Sequence, residues 1–289
     1  MGDSCRLYRL VCASLFAFAV SSLLTAGPAA QAPAAPAAPT AAASPFASMD
    51  AHAREAFLSS AKIISVKSPP KGTTNTKRLT LSDGTITHDA SVQTIDEAKA
   101  VFESNMGTEL NFKDSWRFNV AAYQIDRLLA IDMIPATVER NFEGKAGSFT
   151  WWVDEVLMDE QERYRQKKTV PDTLDWNRQM WITRMFDQLI ANVDRNLGNL
   201  LIDKSFNIWM IDHSRAFRLN KDLRAAGNLS GMDRTILENM RKMTRETVKA
   251  AVGAHLVDSE IDAMLSRRDK IVAHYDQGST NLMFDRRPR

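Results

Sequence analysis

The alternation of apolar and polar residues predicts a small antiparallel sheet in the first half of the folded chain. Residues 62–67, 77–81 and 85–95 carry strand-like patterns, and Pro, Gly, Ser and Asp residues separate them. Two further strand-like segments lie at 136–140 and 147–153. Between the two groups, apolar residues recur at helical spacing: Phe118, Ala121, Ala122, Ile125, Leu128 and Leu129. We therefore expect a five-stranded sheet with one crossing helix.

The second half of the chain is predicted to be mostly helical. Residues 159–168 are highly charged, which is typical of a solvated helix. Residues 174–190 carry large apolar side chains at helical spacing, so we expect this helix to be deeply buried. A long helical region spans 233–276, and Gly253 is predicted to stop or bend it.

The amino terminus has the layout of a secretory signal peptide. Arg6 and Arg9 precede an apolar run from Leu10 to Leu24, and Ala30-Gln31-Ala32 is a suitable cleavage site. The apolar run is short for a bilayer span, so we expect cleavage rather than a stable membrane anchor. Residues 1–32 are therefore predicted to direct export to a periplasmic, extracellular or secretory-pathway compartment.

A low-complexity linker is predicted to follow the signal peptide. Residues 33–48 are almost entirely Ala, Pro, Ser and Thr, which gives them little ability to form a core. The composition changes again after Asp154. We expect a sheet-rich lobe at 49–156 and a helical lobe at 157–289.

Composition excludes several classes of function. The formal net charge is only +2 in 289 residues, which argues against nucleic acid as a partner. Both cysteines, Cys5 and Cys12, lie in the signal segment, so the exported chain has no thiolate nucleophile and no cysteine-based zinc site. The five histidines show no metal-ligand spacing.

Residues 186–217 carry the strongest chemical signal in the chain. Asp194 is followed five positions later by Asn199, and an apolar run at 206–211 leads directly to Asp212. Phosphoryl transfer needs a carboxylate near the attacking hydroxyl, and an amide oxygen plus a second carboxylate to hold a metal ion against the phosphates. The alternative is a surface helix, a turn and a hairpin whose acidic residues have no special role.

These residues resemble the kinase-like superfamily of phosphatidylinositol 3/4-kinases, HipA-like kinases and the secretory-pathway kinases related to the Golgi casein kinase. The segment from Asp194 to Asn199 is similar to the Asp-Arg-His-x-x-Asn motif of the lipid kinases. The segment from Ile211 to Phe217 is similar to the Asp-Asn-Gly-x-Ala-Phe motif of the secretory kinases. The resemblance implies an α+β fold with two lobes, a small antiparallel sheet with one crossing helix followed by a mostly helical lobe.

The resemblance also implies residue roles. Asp194 is the predicted catalytic residue, and Asn199 and Asp212 are the predicted ligands of Mg²⁺ or Mn²⁺. The predicted nucleotide is ATP or a related compound. Its phosphates would be covered by the loop between the first two strands, which contains Gly72, Thr73 and Thr74. By itself this segment is more simply interpreted as an ordinary hairpin loop.

The chain departs from the family at an ionic pair. Gln93 occupies the place of the lysine on the third strand, and Asn119 occupies the place of the glutamate on the crossing helix. Because both partners are amides, neither leaves a buried unpaired charge, and we expect the two side chains to hydrogen-bond to each other. The positive charge beside the phosphates is lost.

Three functions remain open from the sequence. The leading hypothesis is an exported kinase that phosphorylates a hydroxyl of a protein or small molecule. The second is a pseudokinase, in which the same fold binds a nucleotide or a partner with little or no catalysis. The third is an exported helical scaffold without a ligand.

Overall fold

The computed structural model contains the predicted sheet and the predicted crossing helix. It describes residues 46, 49–67, 76–104, 107–277 and 282–287. In chain order the strands are β1 (Lys62–Lys67), β2 (Lys77–Ser82), β3 (Thr87–Gln93), β4 (Asp96–Ser104), β5 (Gly107–Ser115), β6 (Thr137–Phe142), β7 (Lys145–Trp151), β8 (Val156–Asp159), β9 (Leu200–Asp203), β10 (Ile208–Met210), β11 (Met232–Asp233) and β12 (Met283–Phe284). The helices are α1 (Ala51–Ser60), α2 (Arg117–Leu129), α3 (Glu160–Arg165), α4 (Thr173–Leu189), α5 (Arg234–Lys242), α6 (Arg245–Val252) and α7 (Asp258–Asp276).

The main sheet has five antiparallel strands in the order β1-β2-β3-β7-β6. One face is apolar because alternate residues of each strand point toward the core. Its buried side chains are Leu79, Leu81, Ala90, Val92, Phe149 and Trp151. All five strands correspond to predicted segments, with ends that differ by a few residues. Helix α2 packs on this sheet through β6 and β7, as expected from its apolar face.

Strands β4 and β5 form a hairpin that the sequence analysis did not predict. It follows β3 and leads directly into α2. Most of the hairpin is exposed, including Val101 and Leu110. Its sequence therefore lacks the clear alternation of apolar and polar residues from which a half-buried strand is predicted. Near its base the pattern changes, and Phe112, Asp114 and Ser115 are buried. The base of the hairpin therefore belongs to the interior of the protein.

The helical part is built around α4, whose buried side chains include Ile182, Met185, Phe186 and Leu189. Helix α6 ends at Gly253, as predicted. In α7, Arg267 is completely buried, and its guanidinium donates to the carbonyl oxygens of Leu189 and Arg218, each at 2.9 Å. Burial lowers the pKa of Arg267 to about 10. None of the described helices is long and apolar enough to cross a bilayer.

Candidate active site

The predicted catalytic residue Asp194 lies in the loop that follows α4. Its side chain is exposed, and its backbone N–H donates to the Asn192 side-chain oxygen at 3.1 Å. Asn192 is buried, and its amide donates to Asp187 at 3.1 Å. The buried Asn192 therefore anchors the loop, while the Asp194 carboxylate faces solvent.

Arg195 connects this loop to the turn that contains Asp212. Its guanidinium forms an ion pair with Asp187 at 3.0 Å, with the two side chains only 11% and 13% exposed. It also donates to the carbonyl oxygens of Ile211 at 2.9 Å and Asn199 at 3.2 Å. A further nitrogen lies 2.8 Å from His213 Nε2. Because Arg195 contacts both neighbours of Asp212, it holds the Asp194 loop against the turn that carries Asp212.

Asn199 and Asp212 lie at the same end of the β9–β10 hairpin. Leu200 pairs with Met210, and the backbone N–H of Ile211 donates to the Asn199 carbonyl at 3.0 Å. Asp212 is the next residue, and its φ of 54° is in the left-handed region, which only a small minority of residues other than glycine adopt. Such conformations persist where the surroundings impose them, often at functional sites. Hairpin register thus brings the two predicted metal ligands together.

Gln93 and Asn119 form the hydrogen bond that the sequence analysis expected. Asn119 Nδ2 donates to Gln93 Oε1, and Asn119 Oδ1 accepts the backbone N–H of His213 at 2.7 Å. Gln93 Nε2 donates to Thr76 Oγ1 at 3.0 Å and lies 3.5 Å from Asp212 Oδ1, the long limit of a hydrogen bond. This uncharged network joins β3, α2 and the Asp212 turn.

Close packing of the strands supports the network. A Cβ atom on Gly147 of β7 would lie 2.6 Å from the Gln93 carbonyl oxygen, a contact that the backbone cannot accept. Glycine therefore allows β7 to approach β3 beside Gln93. The Asn119 amide also donates to Ser148, the next residue of β7, at 3.3 Å.

Lys77 of β2 and Lys113 of β5 are two lysines that could replace the missing charge, and both have acidic partners elsewhere. Lys77 forms an ion pair with Glu143 at 3.1 Å, and Lys113 pairs with the buried Glu260. The predicted phosphate-covering residues Gly72, Thr73 and Thr74 lie outside the described residues. Thr76, directly after that loop, is held by Gln93. Gln93, at the position of the family's lysine, thus holds Thr76 at the end of this loop.

Asp114, at the base of the β4–β5 hairpin, is a buried carboxylate that the sequence analysis missed. It is 8% exposed, and its Oδ1 atom has no hydrogen-bond partner among the described residues. Burial and the nearby Asp212 charge raise the pKa of Asp114, although the Ser214 side chain acts in the opposite direction. No local motif marks Asp114, because the hairpin brings it to the site from a distant part of the chain.

A groove of about 870 Å³ opens beside Asp194. Its walls come from the outer part of the β4–β5 hairpin and from the segment that follows Asp212. Glu109 of the hairpin pairs with both Arg215 and Arg218 across this groove. The groove is large enough for a small molecule or a short peptide segment, and the exposed carboxylate of Asp194 lines it.

His213 is fully buried and neutral. Burial and the adjacent Arg195 charge hold the pKa of His213 well below its ordinary value of 6.5. Arginine can only donate, so His213 Nε2 accepts the Arg195 hydrogen bond and Nδ1 carries the proton. His213 therefore supports the Arg195 link.

This lowered pKa predicts a loss of stability in mild acid. Below about pH 6.5 the unfolded chain protonates His213 but the native state does not, so the unfolding free energy falls by up to about 1.4 kcal/mol per pH unit. The full contribution is present above that pH. Urea unfolding at several pH values between about 5 and 7.5 gives the unfolding free energy at each pH. Its slope against pH should be smaller for His213→Gln than for the parent. His52→Gln, at a side chain that is 89% exposed, is the control and should retain the parental slope.

Among the described residues, no group of three or more His, Cys, Asp or Glu side chains is arranged as a complete metal cage. Asp212 and Asn199 offer one carboxylate and one amide oxygen. These are hard oxygen donors, and Mg²⁺ in phosphotransfer sites is held by one or two carboxylates together with substrate phosphates. Asp212 and Asn199 therefore fit a divalent cation whose remaining ligands are phosphate oxygens of a bound nucleotide and water.

Comparison with known structures identifies the fold. A crystal structure of the Golgi casein kinase superposes with a TM-score of 0.52 at 14% identity, covering 83% of this chain and 79% of that chain. The Golgi casein kinase with Mn/ADP bound gives a TM-score of 0.54 at 13% identity, covering 82% and 80%. The Helicobacter pylori proinflammatory kinase CtkA gives 0.44 at 11% identity, covering 75% and 96%. No protein-family model and no curated sequence matches the chain.

The first two superpositions extend over most of both chains, so the protein has a kinase-like fold. This confirms the α+β kinase-like architecture predicted from the sequence. The five-stranded antiparallel sheet with α2 across it, followed by the mainly helical remainder, is the arrangement that the motif resemblance implied.

Proposed function

We propose that this protein is an exported phosphotransferase that uses ATP or a related nucleotide, with Mg²⁺ or Mn²⁺, to phosphorylate a hydroxyl of a protein or small molecule. The observation that carries the proposal is the Arg195 link. It ties the loop that carries Asp194 to the end of the β9–β10 hairpin, where the Ile211 N–H donates to the Asn199 carbonyl and Asp212 follows directly. This link would keep an exposed carboxylate near two further oxygen donors, which is the arrangement that phosphoryl transfer to a hydroxyl requires.

In the proposed site, Asp212 and Asn199 hold the divalent cation. When bound, the cation neutralises phosphate charge and orients the terminal phosphate. The Golgi casein kinase, whose structure shares this fold, has been solved with Mn/ADP bound, and this supports the choice of a nucleotide and a divalent metal as ligands. The loop with Gly72, Thr73 and Thr74 is proposed to cover the phosphates from above.

Asp194 is the proposed catalytic residue. An acceptor hydroxyl in the groove would donate its hydrogen bond to the Asp194 carboxylate. As the acceptor oxygen forms its bond to the terminal phosphorus, the bond from that phosphorus to the bridging oxygen breaks and the nucleoside diphosphate leaves. The hydroxyl proton passes to Asp194. This reaction needs positioning and charge stabilisation more than covalent chemistry by the protein.

The Gln93–Asn119 pair favours a second candidate, a pseudokinase. Without a lysine at position 93, phosphate binding loses one positive charge, and such contacts matter most in a closed site of low polarity. The same residues still place the loop end, α2 and the Asp212 turn correctly. Under this alternative the site binds nucleotide but transfers phosphate slowly or not at all.

Export is part of the proposal and rests on residues 1–32, which we propose to be a cleaved signal peptide. Residues 33–48 would then tether the kinase-like lobes at 49–156 and 157–289. The compartment must supply a phosphate donor, which restricts the enzyme to places where a nucleotide is present.

Thermal unfolding with Mn²⁺ and ADP or ATP tests the proposal. A ligand at about one hundred times its Kd adds about 2.7 kcal/mol to the unfolding free energy and raises the Tm. Asp212→Asn should lose most of this shift, whereas Glu238→Gln, on the exposed side of α5, should retain it. Incubation with ATP followed by mass spectrometry detects phosphate transfer to the protein itself or to added acceptors. A parent protein with no shift contradicts the phosphotransferase and the nucleotide-binding form of the pseudokinase, and a shift without transfer favours the pseudokinase.

A further inference from the structure

We infer that Asp114 is a second carboxylate ligand of the divalent cation, supplied from the β4–β5 hairpin and paired in function with Asp212. The inference rests on the proposed function and adds a residue that no motif in the chain marks. Its starting point is a buried acidic side chain with one oxygen that has no partner among the described residues.

The burial of Asp114 is costly unless a ligand is bound. A carboxylate oxygen removed from water without a hydrogen bond or a counter-charge loses several kcal/mol of solvation. The remainder of the hairpin is largely exposed, so its own folding does not require an acidic residue in this place. An apolar or amide side chain at position 114 would serve a purely structural role better.

Asp114 is held on the Asp212 turn by its neighbours. The backbone N–H of Ser115 donates to the Ser214 carbonyl at 2.8 Å, which attaches the hairpin base to this turn. The Ser214 hydroxyl donates to Asp212 Oδ1 at 3.1 Å and also interacts with the Asp114 side chain. Both carboxylates therefore lie near one hydroxyl group, that of Ser214.

The charges of Asp114 and Asp212 repel each other, and a divalent cation bound by both would remove the repulsion. The neighbouring amide pair, Gln93 and Asn119, brings no charge to the cleft. Asp212 alone supplies one negative charge, and Asp114 supplies a second, which balances a doubly charged ion. Two carboxylates and the Asn199 amide oxygen, completed by phosphate oxygens and water, form the hard oxygen set that Mg²⁺ and Mn²⁺ prefer.

The competing explanation is a structural role through Arg215. The positive charge of Arg215 lowers the pKa of Asp114, although the guanidinium itself pairs with Glu109. If this contact were the reason for Asp114, its removal would weaken the fold of the metal-free protein. A role as a metal ligand predicts the reverse, because the loss of one of two repelling charges leaves the metal-free protein at least as stable.

The test measures Mn²⁺ directly, by the electron paramagnetic resonance signal of free Mn²⁺ during titration in the presence of ADP. Asp114→Asn should weaken Mn²⁺ binding about tenfold or more without lowering the Tm of the metal-free protein. Asp114→Glu keeps the charge and should retain measurable binding. Glu103→Gln is the matched control, since Glu103 is exposed and lies opposite Thr108 at the far end of the same hairpin, and this variant should bind Mn²⁺ as the parent does.

The outcomes separate this inference from the proposed function. If Asp114→Asn binds Mn²⁺ with the same affinity as the parent, the inference is overturned and the proposed function stands. A lower Tm of metal-free Asp114→Asn with unchanged Mn²⁺ affinity overturns it in favour of the Arg215 contact. If the parent binds no Mn²⁺ with ADP, the proposed function fails and the inference fails with it.

Discussion

Replacing Asp194 with asparagine is expected to reduce the rate of phosphate transfer about 10²- to 10⁴-fold. The amide keeps the size of the side chain but cannot accept the proton of the acceptor hydroxyl. Asp194 is exposed, and its anchoring hydrogen bond uses the backbone N–H, so the substitution leaves the loop intact. Single-turnover kinetics with radiolabelled ATP measures the change, and a Mn²⁺–ADP titration should give the parental affinity.

Asp269→Asn provides the control for this experiment. Asp269 is 70% exposed on α7 and contacts only its neighbour Arg268 among the ion pairs of the described residues, so the same chemical change there should leave the rate unaltered. Parental activity in Asp194→Asn would remove Asp194 from the mechanism. A parallel loss of Mn²⁺–ADP affinity would instead place Asp194 in the binding of the nucleotide.

The second large effect is expected from Asn119→Glu. This change places a carboxyl group in a buried position beside the uncharged Gln93 and close to the turn that carries the acidic Asp212. An unpaired buried charge costs about 3–5 kcal/mol. Adding Gln93→Lys supplies the missing partner, so the double variant should recover a large part of that loss and bind Mn²⁺–ADP more tightly than the parent.

Urea unfolding of the four proteins in this cycle gives the coupling free energy between positions 93 and 119, which we expect to be about 1–3 kcal/mol. Asn141→Glu, an equivalent change at an exposed position of β6, should cost little and serves as the reference. Additive effects of Gln93→Lys and Asn119→Glu would show that the two side chains do not act as a pair.

The sheet was predictable because its strands have one buried face and one exposed face. In β2, Leu79 and Leu81 are fully buried while the residues between and around them are less so, and this alternation is visible in the sequence. The β4–β5 hairpin was not predictable on the same basis. Val101 and Leu110 are exposed, so apolar residues there do not mark an inner face.

The candidate site could be proposed from the sequence only where its residues are neighbours along the chain. Asp194, Asn199 and Asp212 fall within 19 residues, and a short hairpin brings the last two together. The partners that fix them come from elsewhere: Asp187 supports Arg195 from α4, and Asn119 reaches the turn from α2. Asp114 depends on a tertiary contact made by the hairpin base, which periodicity and spacing do not encode.

The amide pair of Gln93 and Asn119 has a consequence for the conditions under which the protein works. An ion pair at this joint would titrate in acid and would be weakened by dissolved salt. Two carboxamides have no net charge to titrate or to screen. The contact between β3 and α2 through Gln93 and Asn119 should therefore be insensitive to salt concentration, and this hydrogen bond should persist at acidities that break a lysine–glutamate ion pair.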